Sequence, residues 1–172
     1  MYATDPLRNS SLRDLLSHRT RPGKVDWIGI RPARGAPLVA LPEVMLLTQR
    51  GIEGDVASAR ENHKRQVSLI QAEHVPVIAA LSGNGLVDPG VLRRNLVVSG
   101  INLLALRSTH FRIGSVLLEG TGTCDPCSKM ESALGRGGYN AMRGHGGILA
   151  RVIEGGRISL GDEVDFYSSG SS

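Results

Sequence analysis

Aromatic residues are scarce in this chain, at 3% of 172 residues, and long apolar runs are missing. No run approaches the roughly 20 residues that a membrane-spanning helix needs, and residues 1–18 lack the apolar core of a signal peptide. From these absences we expect a cytoplasmic protein with no membrane partner. The net charge of +4 is too small to imply a nucleic acid partner by itself.

Cysteine is equally scarce. The chain has two, Cys124 and Cys127, separated by Asp125 and Pro126. A lone pair in a cytoplasmic chain is seldom a structural disulfide, and a closed zinc site usually takes four ligands. A thioredoxin-like redox pair has the same spacing but belongs beside a βαβ pattern, which this sequence lacks.

Glycine and arginine are the residues in excess. Glycine accounts for 22 of 172 residues, against a usual share of about 7%, which predicts many tight turns between short strands. All but three of the 20 basic residues are arginine, the lysines being Lys24, Lys64 and Lys129. The planar guanidinium suits bidentate binding of phosphate or carboxylate. For most of these arginines, however, a solvated basic surface is the simpler interpretation.

The pattern of apolar runs predicts a mainly β protein. Residues 1–22 read as an N-terminal appendage with a short helix, residues 23–167 as one domain and residues 168–172 as a flexible tail. Only one long helix is expected, over 72–81, with Gly83 after it, and Gly155-Gly156 predicts a hairpin turn. A small mixed or antiparallel β-barrel with a few short helices fits best. Strands are predicted at 25–30, 44–47, 66–70, 96–99, 115–119, 148–154, 157–160 and 163–167.

The segment around Cys127 is the first candidate for chemistry. Asp125 is a good N-cap residue and Pro126 is favoured at the first helical position, so Cys127 is predicted as the second residue of a short helix. There the helix dipole and Lys129 would stabilise a thiolate, giving a reactive thiol or a soft-metal ligand. A small buried cysteine is the alternative, and the local sequence does not decide between the two.

A second candidate is the run Arg93-Arg94-Asn95. Asp88 and Pro89 open a helical turn that delivers this run just before a strand. Forked guanidinium and amide donors at the mouth of a barrel suit a phosphate or a pterin. Taken alone, the segment is more often a solvated turn with a stray arginine pair.

Two further segments carry polar groups. Glycines around Glu53 and Asp55 predict a tight turn with a structural carboxylate, and residues 63–66 would place several donors, including Arg65, at the start of a strand. The glycine-rich loop 143–147, which contains His145, could cradle an anion but lacks the spacing of a Walker loop or a dinucleotide fingerprint. A flexible surface loop is the alternative there and is favoured by the local sequence.

Read in order, these segments resemble the MOSC family, named for the C-terminal domain of molybdenum cofactor sulfurase. The resemblance extends over residues 24–165, nearly the whole chain, and each matching piece is short while the order is specific. The matching pieces are residues 51–55, 65–67 and 93–98, the segment around Cys127, and the glycine pairs and strands of 146–162.

The resemblance implies a β-barrel that binds the molybdenum cofactor (molybdopterin). It places the family's characteristic cysteine on Cys127, which would ligate the metal or carry sulfur, and leaves Cys124 secondary. The family's Arg-Asn step falls on Arg94 and Asn95, which would bind the cofactor's phosphate or pterin. Arg65 and His145 are predicted as further contacts. The pyridoxal-phosphate domain of eukaryotic sulfurases does not fit in 172 residues, so no pyridoxal phosphate site is expected.

Three functions remain open at this stage. The first is a molybdenum-cofactor protein, which either reduces N-hydroxylated compounds with electrons from a separate reductase or carries sulfur on Cys127 from a donor protein. The second is a non-catalytic module that binds the cofactor or another phosphorylated anion. The third, a nucleic-acid-binding barrel, is suggested by a pI near 9.5 but has few aromatic residues for base stacking.

Overall fold

The structure, a computed structural model, describes residues 11–167. The predicted tail and the first ten residues of the predicted appendage lie outside this range. The strands are β1 (Gly23–Ile30), β2 (Val39–Ala40), β3 (Glu43–Leu47), β4 (Gly51–Ile52), β5 (Val67–Gln71), β6 (Leu96–Ser99), β7 (His110–Ile113), β8 (Val116–Thr123), β9 (Ile148–Glu154), β10 (Gly156–Ser159) and β11 (Glu163–Phe166). The helices are α1 (Leu12–Ser17), α2 (His74–Ser82), α3 (Ser128–Leu134) and α4 (Gly138–Met142), with 3₁₀ helices at Val56–Ala59, Pro89–Leu92 and Leu103–Leu106.

Seven strands close into a barrel in the order β11-β7-β8-β9-β5-β6-β1. The barrel closes where β1 returns to β11, with Gly23 opposite Val164. Strands β5 and β6 are parallel, and the other pairs in the barrel are antiparallel. The predicted mixed β-barrel with a few short helices is therefore confirmed.

Two apolar clusters stabilise the fold. The first fills the barrel and includes Phe111, Ile28 and Leu69, all fully buried. The second lies between the outer side of β5 and β6 and the helices, and Met130 and Leu134 of α3 belong to it. Burying one such side chain stabilises a fold by about 1.5–3 kcal/mol, so α3 is held firmly against the barrel wall.

The predicted hairpin at Gly155-Gly156 is wrong. Strand β10 does not return along β9 but pairs with β3, with Ile158 opposite Val44, in a separate sheet of order β10-β3-β4. Gly155 lies so close to this sheet that a Cβ there would be 2.5 Å from the Leu46 carbonyl oxygen. The two glycines thus carry the chain from the barrel to a second sheet.

The remaining elements agree with the sequence to different degrees. Helix α2 ends, as predicted, at Gly83, which adopts the left-handed conformation. Strand β7 (His110–Ile113) was not predicted, because its apolar residues Phe111 and Ile113 alternate with polar ones and so form no apolar run. Helix α1 follows a capping box formed by Ser11 and Asp14. Across residues 11–167, no helix has the length and apolarity to cross a membrane.

Candidate functional site

A cavity of about 380 Å³ lies against the barrel strands, where the turn before β6 meets the segment after β8. We call it the thiol cavity, because Cys127 is part of its wall. Five arginines and one carboxylate line it, so it is strongly cationic. Its lining residues are Arg31, Ala57, Arg60, His63, Arg65, Ser68, Arg93, Arg94, Asn95, Cys124, Asp125, Cys127 and Leu149.

Asp55 organises the wall of this cavity from behind. It is 3% exposed and accepts hydrogen bonds from the backbone N–H groups of Arg31 and Ala57, at 2.9 Å each. The Arg31 Nη2 is 3.2 Å from Asp55 Oδ1, and Asn95 Nδ2 donates to Asp55 Oδ2 at 2.9 Å. The structural carboxylate predicted in the 51–55 turn is therefore Asp55, and it holds Arg31 in place.

Asn95 lies in the wall but uses its polar atoms within the protein. Its Oδ1 accepts from the Ser68 backbone N–H at 3.1 Å and from the Ser68 hydroxyl at 2.9 Å. Its Nδ2 donates to the Gly29 carbonyl at 3.1 Å as well as to Asp55. Asn95 therefore ties β5, β1 and the 51–55 turn together beside the cavity.

Arg94 is also turned toward the protein. It is 5% exposed, and its guanidinium donates to three backbone carbonyls: Gly146 at 2.8 Å, Leu92 at 3.0 Å and Cys124 at 3.0 Å. These bonds use three of the five N–H donors of the side chain. Arg94 lines the cavity together with Asn95, Arg65 and Cys127, and its role as a direct cofactor contact stays a prediction.

Arg60, Arg65 and Arg93 are the less constrained cations of the cavity. Within residues 11–167, no carboxylate lies within ion-pair distance of these three guanidinium groups. Sequence reasoning missed Arg31 and Arg60, because both lie in irregular loops without a recognisable motif. Only their convergence in three dimensions identifies them.

Cys127 lies one position outside the helix, not inside it. Helix α3 begins at Ser128, and Cys127 is its N-cap with extended backbone angles, φ −117° and ψ 172°. The predicted N-cap at Asp125, with Pro126 as the first helical residue, is wrong because the chain stays extended beyond β8. The Cys124 N–H donates to the Gly147 carbonyl at 2.9 Å, and the Cys124 carbonyl accepts from Arg94. Cys127 is exposed and lines the thiol cavity.

Cys124 is the opposite kind of thiol. It is 7% exposed, and burial raises the pKa of its thiol, although the charges of Arg94 and Arg65 act in the other direction. A buried thiol that stays protonated is a poor nucleophile and a poor metal ligand. Both cysteines line the thiol cavity, but Cys127 is exposed whereas Cys124 is buried.

The structure places His145 apart from the other predicted contacts. Its ring packs edge-on against His74, with ring centroids 5.0 Å apart, and it does not line the thiol cavity. Its Nδ1 is buried without a hydrogen-bond partner among the described residues. Burial, and then the neighbouring His145, lowers the pKa of His74. The loop itself is held close to β5, since a Cβ on Gly147 would be 1.8 Å from the Leu69 carbonyl oxygen.

The donor set limits what the site can hold. In the described part of the chain, no group of three or more His, Cys, Asp or Glu side chains is arranged to hold a metal ion. Cys127 is the exposed soft ligand of the cavity and lies beside a cluster of guanidinium groups. Such a site fits a metal that arrives within an anionic cofactor rather than a bare ion.

The structure is a closed mixed barrel with an exposed cysteine beside an arginine-rich cavity. A family model described as MOSC domain matches residues 52–165, and the chain belongs to this family. The MOSC family is associated with binding of the molybdenum cofactor. No curated protein has a matching sequence.

Solved structures share the fold. The YuaD protein from Bacillus subtilis has 22% identity and a TM-score of 0.73, with 88% of this chain and 99% of that chain covered. YiiM from Escherichia coli has 24% identity and a TM-score of 0.62, with 90% and 72% covered. YiiM from Geobacillus stearothermophilus has 16% identity and a TM-score of 0.69, with 88% and 78% covered. At these identities, the likeness establishes a common fold.

Proposed function

We propose that this protein binds the molybdenum cofactor in the thiol cavity, with Cys127 as the protein ligand of the metal. The observation that carries the proposal is an exposed thiol in the wall of a cavity that also holds Arg60, Arg65 and Arg93. Guanidinium groups without a carboxylate partner suit a phosphate, and a thiolate suits a soft metal. The cavity is of the size of typical small-molecule sites, roughly 300–1,000 Å³.

Different residues of the cavity would make different contributions to binding such a cofactor. Asp55 fixes Arg31 and Asn95 behind the wall, so these groups present a rigid surface. Arg65 and Arg93 supply exposed or half-buried positive charge, and Cys127 supplies the sulfur. When bound, the cofactor would supply two-electron redox chemistry at molybdenum.

We propose reduction of N-hydroxylated compounds as the activity of the loaded protein. Two cysteines cannot ligate a cluster that needs four, so the electrons would come from a separate reductase. The activity should therefore appear only when a reductase partner is supplied with the loaded protein, and it should vanish in Cys127→Ser.

The exposure of Cys127 supports a second candidate, in which the protein carries sulfur for the cofactor. A donor protein's persulfide would give its outer sulfur to the Cys127 thiolate: the donor's S–S bond breaks, a new S–S bond forms on Cys127, and the donor leaves as a thiolate. Cys124 is too buried to take this sulfur. The persulfide would add the mass of one sulfur atom to the chain.

The deciding experiment uses protein purified from a molybdenum-replete host. Elemental analysis and intact mass should show molybdenum or added sulfur in the parent and in Cys124→Ala, but neither in Cys127→Ser. Arg65→Ala should retain less cofactor, because a charge-assisted hydrogen bond contributes about 1.5–3 kcal/mol.

Equal molybdenum and undiminished activity in Cys127→Ser would contradict both metal ligation and sulfur transfer. If the parent binds cofactor but is inactive with every donor, the non-catalytic binding module is the correct function.

A further inference from the structure

A second and larger cavity, of about 530 Å³, adjoins the thiol cavity. We call it the α3 cleft, because α3 forms one side of it and the 3₁₀ helix Pro89–Leu92 forms another. Arg93 belongs to the walls of both cavities. The residues that line the cleft are Pro37, Leu38, Asp88, Gly90, Val91, Arg93, Lys129, Ser132 and Ala133.

Helix α3 has two distinct faces, of which one is buried and the other lines the cleft. Met130 and Leu134 are buried in the second apolar cluster. Lys129, Ser132 and Ala133, spaced i, i+3 and i+4, share another face, which lines the cleft. Cys127 is the N-cap of this helix, so the exposed thiol and the cleft wall are adjacent in the chain.

Arg93 has a backbone conformation that few arginines adopt. Its φ of 58° and ψ of 32° lie in the left-handed region, where a residue with a Cβ is strained. Its side chain makes no hydrogen bond within residues 11–167 that would explain the strain. Such outliers are frequent at functional sites. The turn directs Arg94 into the protein and leaves Arg93 between the two cavities.

The chemistry of the cleft is amphipathic. Pro37, Leu38, Val91 and Ala133 supply apolar surface, whereas Arg93 and Lys129 supply two positive charges. The carboxylate of Asp88 is engaged in capping, since its Oδ1 accepts from the Gly90 N–H at 2.7 Å. Arg93 is common to both cavities, and Lys129 lies in the first turn of α3, two residues after Cys127 in the sequence.

We propose that the α3 cleft is the substrate subsite of this protein. It takes a small organic molecule with an apolar body and one anionic group, which Arg93 and Lys129 bind at the end next to Cys127. The assignment as a substrate subsite rests on the proposed function. The class of ligand rests only on the residues of the cleft.

The test uses 1-anilinonaphthalene-8-sulfonate, an apolar molecule with one anionic group, and follows its fluorescence on titration into the full chain. Ala133→Phe should fill the cleft and weaken binding about tenfold. Ala80→Phe is the matched control, because Ala80 lines a separate apolar groove beside α2, and it should leave binding unchanged. Lys129→Gln should weaken binding about fivefold, with Lys64→Gln as its control.

Three outcomes would overturn the assignment: unchanged binding in Ala133→Phe, weakening in Ala80→Phe instead, or loss of retained molybdenum in Ala133→Phe. The last would mean that the cleft holds part of the cofactor. Failure of the proposed function has a different signature. If Cys127→Ser keeps its molybdenum while Ala133→Phe still loses the probe, the cofactor assignment fails and the ligand class of the cleft stands.

Discussion

Arg93 and Arg94 are neighbours in sequence, yet they belong to different parts of the molecule. Arg94 is 5% exposed and donates to three backbone carbonyls. Arg93 is half-buried, without a carboxylate partner in the described range, and lies between two cavities. The same type of side chain thus stabilises the site at position 94, whereas at position 93 it lines the two cavities.

The difference shows that one short motif can contain both a residue that stabilises the fold and a residue that lines the candidate binding site. Arg94 joins the turn before β6, the segment after β8 and the glycine loop before β9. Without that junction, the wall that carries Cys127 would lose its position. Arg93 costs stability by its left-handed backbone, which is consistent with a residue kept for binding.

The largest expected effect is that of Arg94→Ala on folding. The substitution leaves the buried carbonyls of Leu92, Cys124 and Gly146 without their donor, and each such group costs about 1–3 kcal/mol. We expect the free energy of unfolding to fall by roughly 4 kcal/mol, measured by urea denaturation. Arg94→Lys should recover little, because an ammonium group cannot match the planar fork. An Arg94→Ala protein as stable as the parent would show that the three hydrogen bonds of Arg94 do not stabilise the fold.

The glycine loop 143–147, in which the Gly146 carbonyl accepts from Arg94, contains two glycines with different surroundings. A Cβ on Gly147 would lie 1.8 Å from the Leu69 carbonyl oxygen at φ +87°, whereas Gly144, at φ +79°, has nothing within 4 Å. Gly147→Ala should therefore destabilise the fold by about 3 kcal/mol, combining overpacking with backbone strain. Gly144→Ala should cost only the strain, about 1 kcal/mol. Equal losses in thermal or urea unfolding would mean that the loop is not held against β5.

Much of the barrel could be predicted from the sequence, because its strands are apolar runs between turn residues. Strands β6 and β9 have the predicted bounds, and α2 ends at the predicted glycine. Local patterns do not say which strands pair, and so the Gly155-Gly156 hairpin was wrong. Strand β10 pairs with β3, more than 100 residues earlier in the chain, and Gly155 lies close to the Leu46 carbonyl; these are long-range contacts.

The candidate site was also predictable only in part, because local patterns do not show which side chains come together. The local sequence left the role of Cys127 open, and the family resemblance placed the characteristic cysteine there, while the donor-rich segments pointed to Arg65 and Arg94. The structure brings these three residues into one cavity, and their roles stay predictions. Whether a guanidinium faces protein or ligand depends on carbonyls distant in sequence, such as that of Gly146, 52 residues from Arg94. The start of α3 was misplaced because tertiary hydrogen bonds to Cys124 outweighed the capping preference of Asp125.

The substitution Arg93→Gly tests whether Arg93 contributes to ligand binding or to the stability of the fold. Glycine relieves the left-handed strain, which stabilises the fold by about 1–2 kcal/mol. It also raises the conformational entropy of the unfolded chain, which destabilises the fold by about 0.4–1 kcal/mol. Stability should therefore stay equal to the parent or rise by up to about 1.6 kcal/mol. Binding of inorganic pyrophosphate, followed by calorimetry, should weaken. A loss of stability without a loss of binding would place Arg93 with Arg94 as a structural residue.

The smallest effect concerns the thiol beside Arg94. Burial raises the pKa of Cys124, and the charge of Arg94 opposes that shift. In the unfolded chain the thiol ionises near its usual value of about 8.5, while the folded protein keeps the proton to higher pH. Stability should thus be independent of this group below pH ~8.5 and should fall as the pH rises above it. Urea midpoints between neutral and alkaline pH should show a decline that Cys124→Ala reduces. If Cys124→Ala makes the decline steeper, the charge of Arg94 outweighs burial, and the buried arginine is a stronger electrostatic group than its three carbonyl partners suggest.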